Sequence, residues 1–263
     1  GRVINVEGNP HSGLTLGAPK SVLFELQRIY SPDRYKSPKK GESDLSWEEG
    51  LKSLAGAVKA AVNAGKKVAY LGPYRSGPIV DLIQDYTSGS AVFWEPMGHA
   101  DEATAWDALF GGRKLPHYDL SDARYVLSFG ASFLSWWGSS EIEGQYADAR
   151  NPNKGHFITR FALVAPHMDQ VGANADDWYP CRSGSQAHAA FAVAKLIAAK
   201  KGYAGHATAI LSRINLKEAS KQSGISEGDL DAIATWFSDA ESAVALPGST
   251  EDTDLAIATF LIN

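Results

Sequence analysis

Between Ser46 and Lys67 the apolar positions recur every three or four residues, so that Leu51, Leu54, Ala55, Val58 and Val62 share one side of a helical projection. Ser46 stands where an N-cap belongs, Glu48 and Glu49 fill the first turn, and Gly65 with Lys66 and Lys67 closes the run; the spacing predicts one helix. From Val68 onward short apolar runs alternate with longer amphipathic ones. "VAYLGP", "SAVFWEP", "ARYVLSFGA" and "HFITRFALVAP" read as strands. "GPIVDLIQDYTS", "DEATAWDALFGG" and "SSEIEGQYADAR" read as the helices between them. Four further helical segments follow, "SQAHAAFAVAKLIAAKK", "AGHATAILSRI", "NLKEASKQSG" and "SEGDLDAIATWFSDA", the last with Ser226 as its N-cap. "SAVALPGS" is a final strand and "DTDLAIATFLIN" a final helix. Apolar strands separated by helices of this length form βαβ units. The expected fold class is therefore α/β: a doubly wound, mostly parallel sheet with helices on both faces.

The first 46 residues break this regularity. "EGNPHSGLTLGAP" and "SPDRYKSPKKGESD" are rich in turn formers, and only "SVLFELQRIY" is apolar. They read as a short strand at "GRVINVEGNP" and an extended arm over residues 1–46, with the α/β domain over residues 47–263. Both ends stop abruptly, which suggests a piece of a longer protein whose targeting signal lies elsewhere.

Composition narrows the function. A length of 263 residues accommodates one large or two small domains with a sizeable core. The net charge of −5 and the absence of a basic stripe, the densest cluster being "YKSPKK", argue against a nucleic-acid partner. No apolar run is long enough to span a membrane. Cys181 is the only cysteine, so the chain makes no internal disulfide, no cysteine-only zinc site and no iron–sulfur cluster of its own. An activated thiol beside Arg182 has no histidine or asparagine spacing to support it, and a structural role is expected. The seven tryptophans read as core or interface anchors.

In an open parallel sheet, chemistry sits just beyond the carboxyl ends of the strands. Those positions are Gly72–Gly77, Glu95–His99, Gly130–Phe133 and Ala165–Asp169. None is a dinucleotide fingerprint or a phosphate-binding loop of nucleotide hydrolases. His99 with Glu95, Asp101 and Glu102 could be drawn as a metal cluster, but a solvated histidine beside helix-start acids is the plainer reading. His167 and Asp169 form a similar pair. The stretch "NADDWYPCRSGSQAH" leads into an apolar helix, so backbone N–H groups at its start favour an anion.

Taken in order, these segments resemble the large subunit of the molybdopterin oxidoreductases, the superfamily of dimethyl sulfoxide reductase and formate dehydrogenase. "GRVINVEGNPHSGLTLG" with "IYSPDRYKSP" resembles its opening strand, Gly-Asn-Pro turn and arm, and "LSWEEGLKSLAGAV" its Trp-Asp-Glu-Ala helix. "YVLSFGASF" resembles the strand ending in Gly-x-Asn, and "ALVAPHMDQVGANADDWYPCRSGSQAHAAFAVAKLI" the strand, Ala-Asp-x-Trp loop and Pro-Gly-Thr-Asp helix start. The likeness runs across about the whole chain.

The departures bear on function. Where catalytic members of the family hold a pterin dinucleotide with Asp-Pro-Arg and Pro-Gly-Thr-Asp, this chain has Ala165-Pro166-His167 and Arg182-Ser183-Gly184-Ser185-Gln186. No Cys or Ser lies between Ala91 and Ala105, where the family places its metal ligand; Asp101 is the candidate that remains. The family's cysteine after the Gly-Asn-Pro turn is also absent, with Lys20 and Ser21 in its place. The combination is most similar to the molybdopterin-like domain of the iron–sulfur subunit of alternative complex III, which also resembles this chain in "FWEP…FGG…PHYDLSDARYVLSFGASFL".

That resemblance implies a non-catalytic scaffold in a membrane-associated, quinol-oxidising respiratory complex. It further implies no catalytic or metal residues and no cofactor in this piece, iron–sulfur clusters in another domain of the parent, export by a twin-arginine signal to the periplasmic side, and membrane quinol-binding and cytochrome c subunits as partners. The rival expectation is a fragment of an active molybdopterin enzyme, with Gly130, Ser132, Ser183, Gly184 and Gln186 holding the pterin dinucleotide and Asp101 or a water completing the metal site. A third is an unrelated α/β binding protein with a similar pattern. A scaffold should have bulky side chains such as Phe133, Trp136 or Trp137 filling the cleft beyond the strand ends.

Overall fold

In the computed structural model, the residues described are 3–9, 11, 20–73, 75, 77–95, 98–154, 157–248 and 252–263. Most of the opening motif, together with Tyr74, Ser76, Pro96, Met97 and the side chains of Lys20 and Ser21, falls outside them. The chain divides into two compact units, one built mainly from Phe24–Gly98 and the other mainly from His99–Asn263.

Residues 3–9 take no regular structure, in place of the strand expected at the opening. The apolar segment after them is a helix, α1 (Lys20–Tyr30). A minimal antiparallel hairpin follows, β1 (Lys39–Lys40) and β2 (Ser43–Asp44), turning at Gly41 with φ +60°. Helix α2 (Trp47–Asn63) starts as its sequence dictates. The Ser46 hydroxyl accepts the Glu49 N–H at 3.2 Å while the Glu49 carboxylate accepts the Ser46 N–H at 2.9 Å, a reciprocal cap for two donors the helix leaves over. Strand β3 (Tyr70–Gly72), helix α3 (Pro78–Tyr86) and strand β4 (Ala91–Phe93) then form one βαβ unit, with β3 and β4 parallel. Pro78 occupies the first helical position, where its missing N–H costs nothing.

The second unit opens with α4 (Ala100–Phe110) and contains the main sheet. Strand β5 (Tyr125–Phe129), helix α5 (Ser140–Ala149) and strand β6 (Arg160–Ala165) lead to a 3₁₀ turn over Gly172–Asn174 and strand β7 (Asp177–Pro180). Helices α6 (Gln186–Lys200), α7 (Thr208–Leu211), α8 (Leu216–Ser223) and α9 (Glu227–Asp239) follow, then strand β8 (Ala243–Pro247) and helix α10 (Thr253–Ile262). The sheet order is β7-β6-β5-β8 and every neighbour is parallel. The fold is thus the expected mixed α/β architecture, with two corrections. The strands read as one sheet form two separate ones, and the stretch Asp177–Pro180, read as loop, is an edge strand. Asp177 is fixed there by Arg160, whose Nε and Nη2 donate to its carboxylate at 2.7 and 3.0 Å while its guanidinium lies 3.7 Å from the Trp236 ring centroid.

Strand periodicity sorts the core into two layers. Tyr125, Leu127, Phe129, Ala162 and Val164 pack with Ala189, Val193, Ile233 and Leu255 under α6, α9 and α10. Val126, Phe161, Leu163, Ala165 and Leu246 face Phe133, Trp137, Ile142 and Tyr146 on the α5 side. A sheet covered on both faces is built from near-continuous apolar runs, and β5 is buried throughout, Ser128 included. The outer edge of β8 is occupied by a side chain: the Asn263 carboxamide accepts the Ala245 N–H at 2.8 Å and donates to the Ala245 carbonyl at 3.0 Å. Among the described residues no helix is long and apolar enough to cross a membrane.

Candidate functional site

The carboxyl ends of β5 and β6 converge with the start of α6 on a small cleft. Beyond β5 the chain turns sharply. Gly130 takes φ +88°, a value side-chain-bearing residues avoid, and the Ala131 N–H folds back to donate to the buried Ser128 hydroxyl at 2.8 Å. The turn aims Ser132 at the loop after β6, where its hydroxyl donates to the Asp169 carboxylate at 2.6 Å. The other Asp169 oxygen accepts the N–H groups of Val171 and Gly172, each at 2.9 Å. Partial burial works against this charge, but the Ser132 hydroxyl, the two amides and nearby His167 outweigh it and hold the carboxyl below its usual range.

The start of α6 is held from a distance. Arg182 N–H donates to the Ser223 carbonyl at 2.8 Å and its guanidinium to the Lys221 carbonyl at 2.8 Å, so the cationic side chain sits at the C-terminus of α8. The Ser185 hydroxyl donates to the carbonyls of Arg182 at 2.6 Å and Ser223 at 3.4 Å. It therefore gives α6 no side-chain cap. Gln186 reaches over the turn after β5: its Nε2 lies 3.6 Å from where a Cβ on Gly130 would stand.

Of the sequence candidates, Gly130, Ser132 and Gln186 come together in the cleft, which Ala165, Pro166, His167 and Asp169 also line. Ser183 and Gly184 do not line it; both are exposed. The aromatic filling expected of a scaffold is absent from the cleft. Phe133 and Trp137 are buried in the layer beneath and Trp136 is 51% exposed. Asp169, read only as one of a weak pair, lines the cleft beside the apolar Ala131, Leu163 and Ala165. Its partner Ser132 lies 37 residues away, a separation that leaves no local pattern.

The remaining candidates lie elsewhere. Asp101 accepts a hydrogen bond from the Thr253 hydroxyl at 2.7 Å, joining the first turns of α4 and α10. His99 is not the solvated histidine its neighbours suggested: its Nδ1 meets the carboxylate of Glu102, which is 2% exposed and also accepts the Tyr118 hydroxyl at 2.9 Å. Its ring stands edge-on to Trp137 at 5.6 Å. Among the described residues no group of three or more His, Cys, Asp or Glu is placed to hold a metal ion. Cys181 is 9% exposed and burial pushes its thiol up, as suits a structural residue.

No protein-family model matches the sequence. The chain is 30% identical, over 95% of its length, to the menaquinone reductase molybdopterin-binding-like subunit of Nitratidesulfovibrio vulgaris strain Hildenborough. It is 28% identical, over 74% of its length, to the molybdopterin-containing subunit ArrA of the arsenate respiratory reductase of Shewanella sp. strain ANA-3. It spans 38% and 24% of those two proteins. The fold is similar to that of acetylene hydratase from Pelobacter acetylenicus, with a TM-score of 0.69 over 93% of this chain and 37% of that one, at 14% identity.

Proposed function

The chain is a relative of the molybdopterin oxidoreductases, and from that premise we propose that it is a non-catalytic scaffold in a respiratory electron-transfer complex. The observation that carries the proposal is the state of the strand-end cleft, about 80 Å³ in volume. Ligand pockets run to roughly 300–1,000 Å³, so a pterin dinucleotide does not fit the residues present. The carboxylate within reach, Asp169, is spent on Ser132 and two backbone amides. Ser183 and Gly184 are exposed outside the cleft, and Arg182 and Ser185 are engaged with the end of α8. No step of redox chemistry is assigned to this part of the molecule.

The respiratory assignment draws on the relatives' names, a menaquinone reductase subunit and a respiratory arsenate reductase subunit. Its finer form is a quinol-oxidising assembly of the alternative complex III type, on the periplasmic face of the membrane. There the chain contacts quinol-binding and cytochrome c subunits, and iron–sulfur clusters reside in another part of the parent protein. The rival reading, a portion of an active molybdopterin enzyme, draws on the likeness to ArrA, whose name states that it contains the cofactor.

Elemental mass spectrometry for molybdenum and tungsten on the purified, assembled protein, with fluorescence of oxidised pterin, separates the two. The scaffold requires neither metal nor pterin. Stoichiometric amounts of both overturn it and return Gly130, Ser132 and Gln186 to a cofactor role.

A further inference from the structure

A doubly wound sheet opens its binding crevice where adjacent strands send their chains to opposite faces. Here that point lies between β5 and β8. The chain after β5 leads to α5 on one face, and the chain after β8 leads to α10 on the other. The gap is shut by main chain. A Cβ on Gly248, the residue following β8, would stand 2.1 Å from the Gly130 carbonyl carbon, 2.3 Å from the Ala131 nitrogen and 2.4 Å from the Phe129 oxygen. Glycine alone permits backbones to approach so closely. On the other side of β5, the Ser132–Asp169 hydrogen bond ties the loop after β5 to the loop after β6. The Gln186 carboxamide lies across Gly130 from the third direction. The cleft that remains beside Gly130, Ser132, Asp169 and Gln186 has a volume of about 80 Å³, room for water and well below the roughly 300–1,000 Å³ of a ligand pocket.

We infer that the strand-end crevice is sealed by the chain's own residues, with Ser132 and Asp169 as the latch and the Gly248–Gly130 contact as the hinge side, so that it admits water and excludes any nucleotide-sized ligand. The inference rests on the scaffold reading and adds to it. A site can lose its binding side chains and stay open; this one is closed by contacts that hold it shut. Asp169 is central because one carboxylate joins the latch to the 3₁₀ turn at Gly172–Asn174 through Val171 and Gly172.

The test is amide hydrogen exchange, read by mass spectrometry on the full-length, assembled protein. A sealed crevice makes the segments at 130–134 and 169–174 exchange as slowly as the adjoining strands. The Ser132→Ala/Asp169→Ala pair should speed both segments by about tenfold or more, while the β5 segment 125–129 stays slow and shows that the fold persists. Ser132→Ala, which leaves Asp169 its bonds to Val171 and Gly172, takes the place of the pair if the latter does not fold; it should speed the 130–134 segment alone. Exchange in the unaltered protein as fast as at the exposed turn 151–154 overturns the seal. Pterin measured on the same preparation keeps the two ideas apart. Fast exchange without pterin overturns the seal alone, and pterin with slow exchange overturns the scaffold reading on which it rests.

Discussion

Helices α6 and α9 both begin after a serine, and the two starts are built differently. At α9 the Ser226 hydroxyl accepts the Asp229 N–H at 3.0 Å, the ordinary way to satisfy a donor in the first turn. At α6 the Ser185 hydroxyl is turned away and donates to carbonyls of the preceding loop and of α8, so the helix start has no side-chain cap. The difference teaches where local rules stop. A start that serves only its own helix is governed by the next three residues; a start at the edge of the strand-end crevice is governed by whatever holds the loop, here a carbonyl 38 residues further along the chain.

The comparison can be broken at the joint the two starts share. Gly224, between α8 and the α9 cap, has φ +79°, and a Cβ added there would stand 3.5 Å from Arg182 Cγ. Gly224→Ala should cost about 1–2 kcal/mol through left-handed strain, read as a lower urea midpoint with unchanged slope. Ser226→Ala should cost about 1 kcal/mol, because an N-terminal donor of α9 loses its acceptor. Ser185→Ala should cost less, about 0.5 kcal/mol. The Arg182 carbonyl keeps the Ser185 N–H and the Ser223 carbonyl keeps the Arg182 N–H, so neither acceptor is orphaned. If Ser185→Ala costs as much as Ser226→Ala, the two starts are equivalent and the contrast fails.

The smallest effect concerns pH. Asp169 is held below its usual range, so its contribution is present above the unfolded carboxyl value of about 3.9 and is lost as pH falls toward the depressed folded value. Asp169→Asn should flatten the acid limb of the stability curve below about pH 4 and leave its shape near neutrality unchanged.

Much of the architecture was legible because it rests on short-range rules. The Ser46–Glu49 and Ser226–Asp229 caps, and the buried runs of β5 and β6, announce themselves within a few residues. Strand β7 did not, since its four residues alternate between exposed and half-buried and carry no apolar run; what makes it a strand is pairing with β6. Nor did the separation of β3 and β4 from the main sheet, because the alternation of strand and helix is the same on both sides of Gly98. At the cleft the positions of Gly130, Ser132 and Gln186 followed from strand ends alone. The roles of Asp169 and Gly248 depend on contacts with the loop after β5 from 37 and more residues away, and His99 was misjudged because the burial of Glu102 is a property of the packed unit.

The Asn263 carboxamide on β8 acts as a proofreader of registry. The Ser242 carbonyl accepts from Arg124 and Tyr125, so alternate residues 242, 244 and 246 address β5 and Ala245 addresses the opposite side. A slip of β8 by one residue would turn the Ala245 N–H inward and present Val244 or Leu246 to Asn263, with every core side chain of the strand reversed. The bond also requires α10 to be wound as far as Ile262, since Asn263 follows it directly. Correct threading of the strand and winding of the helix up to Asn263 are thereby verified together, by one amide 18 residues from its partner.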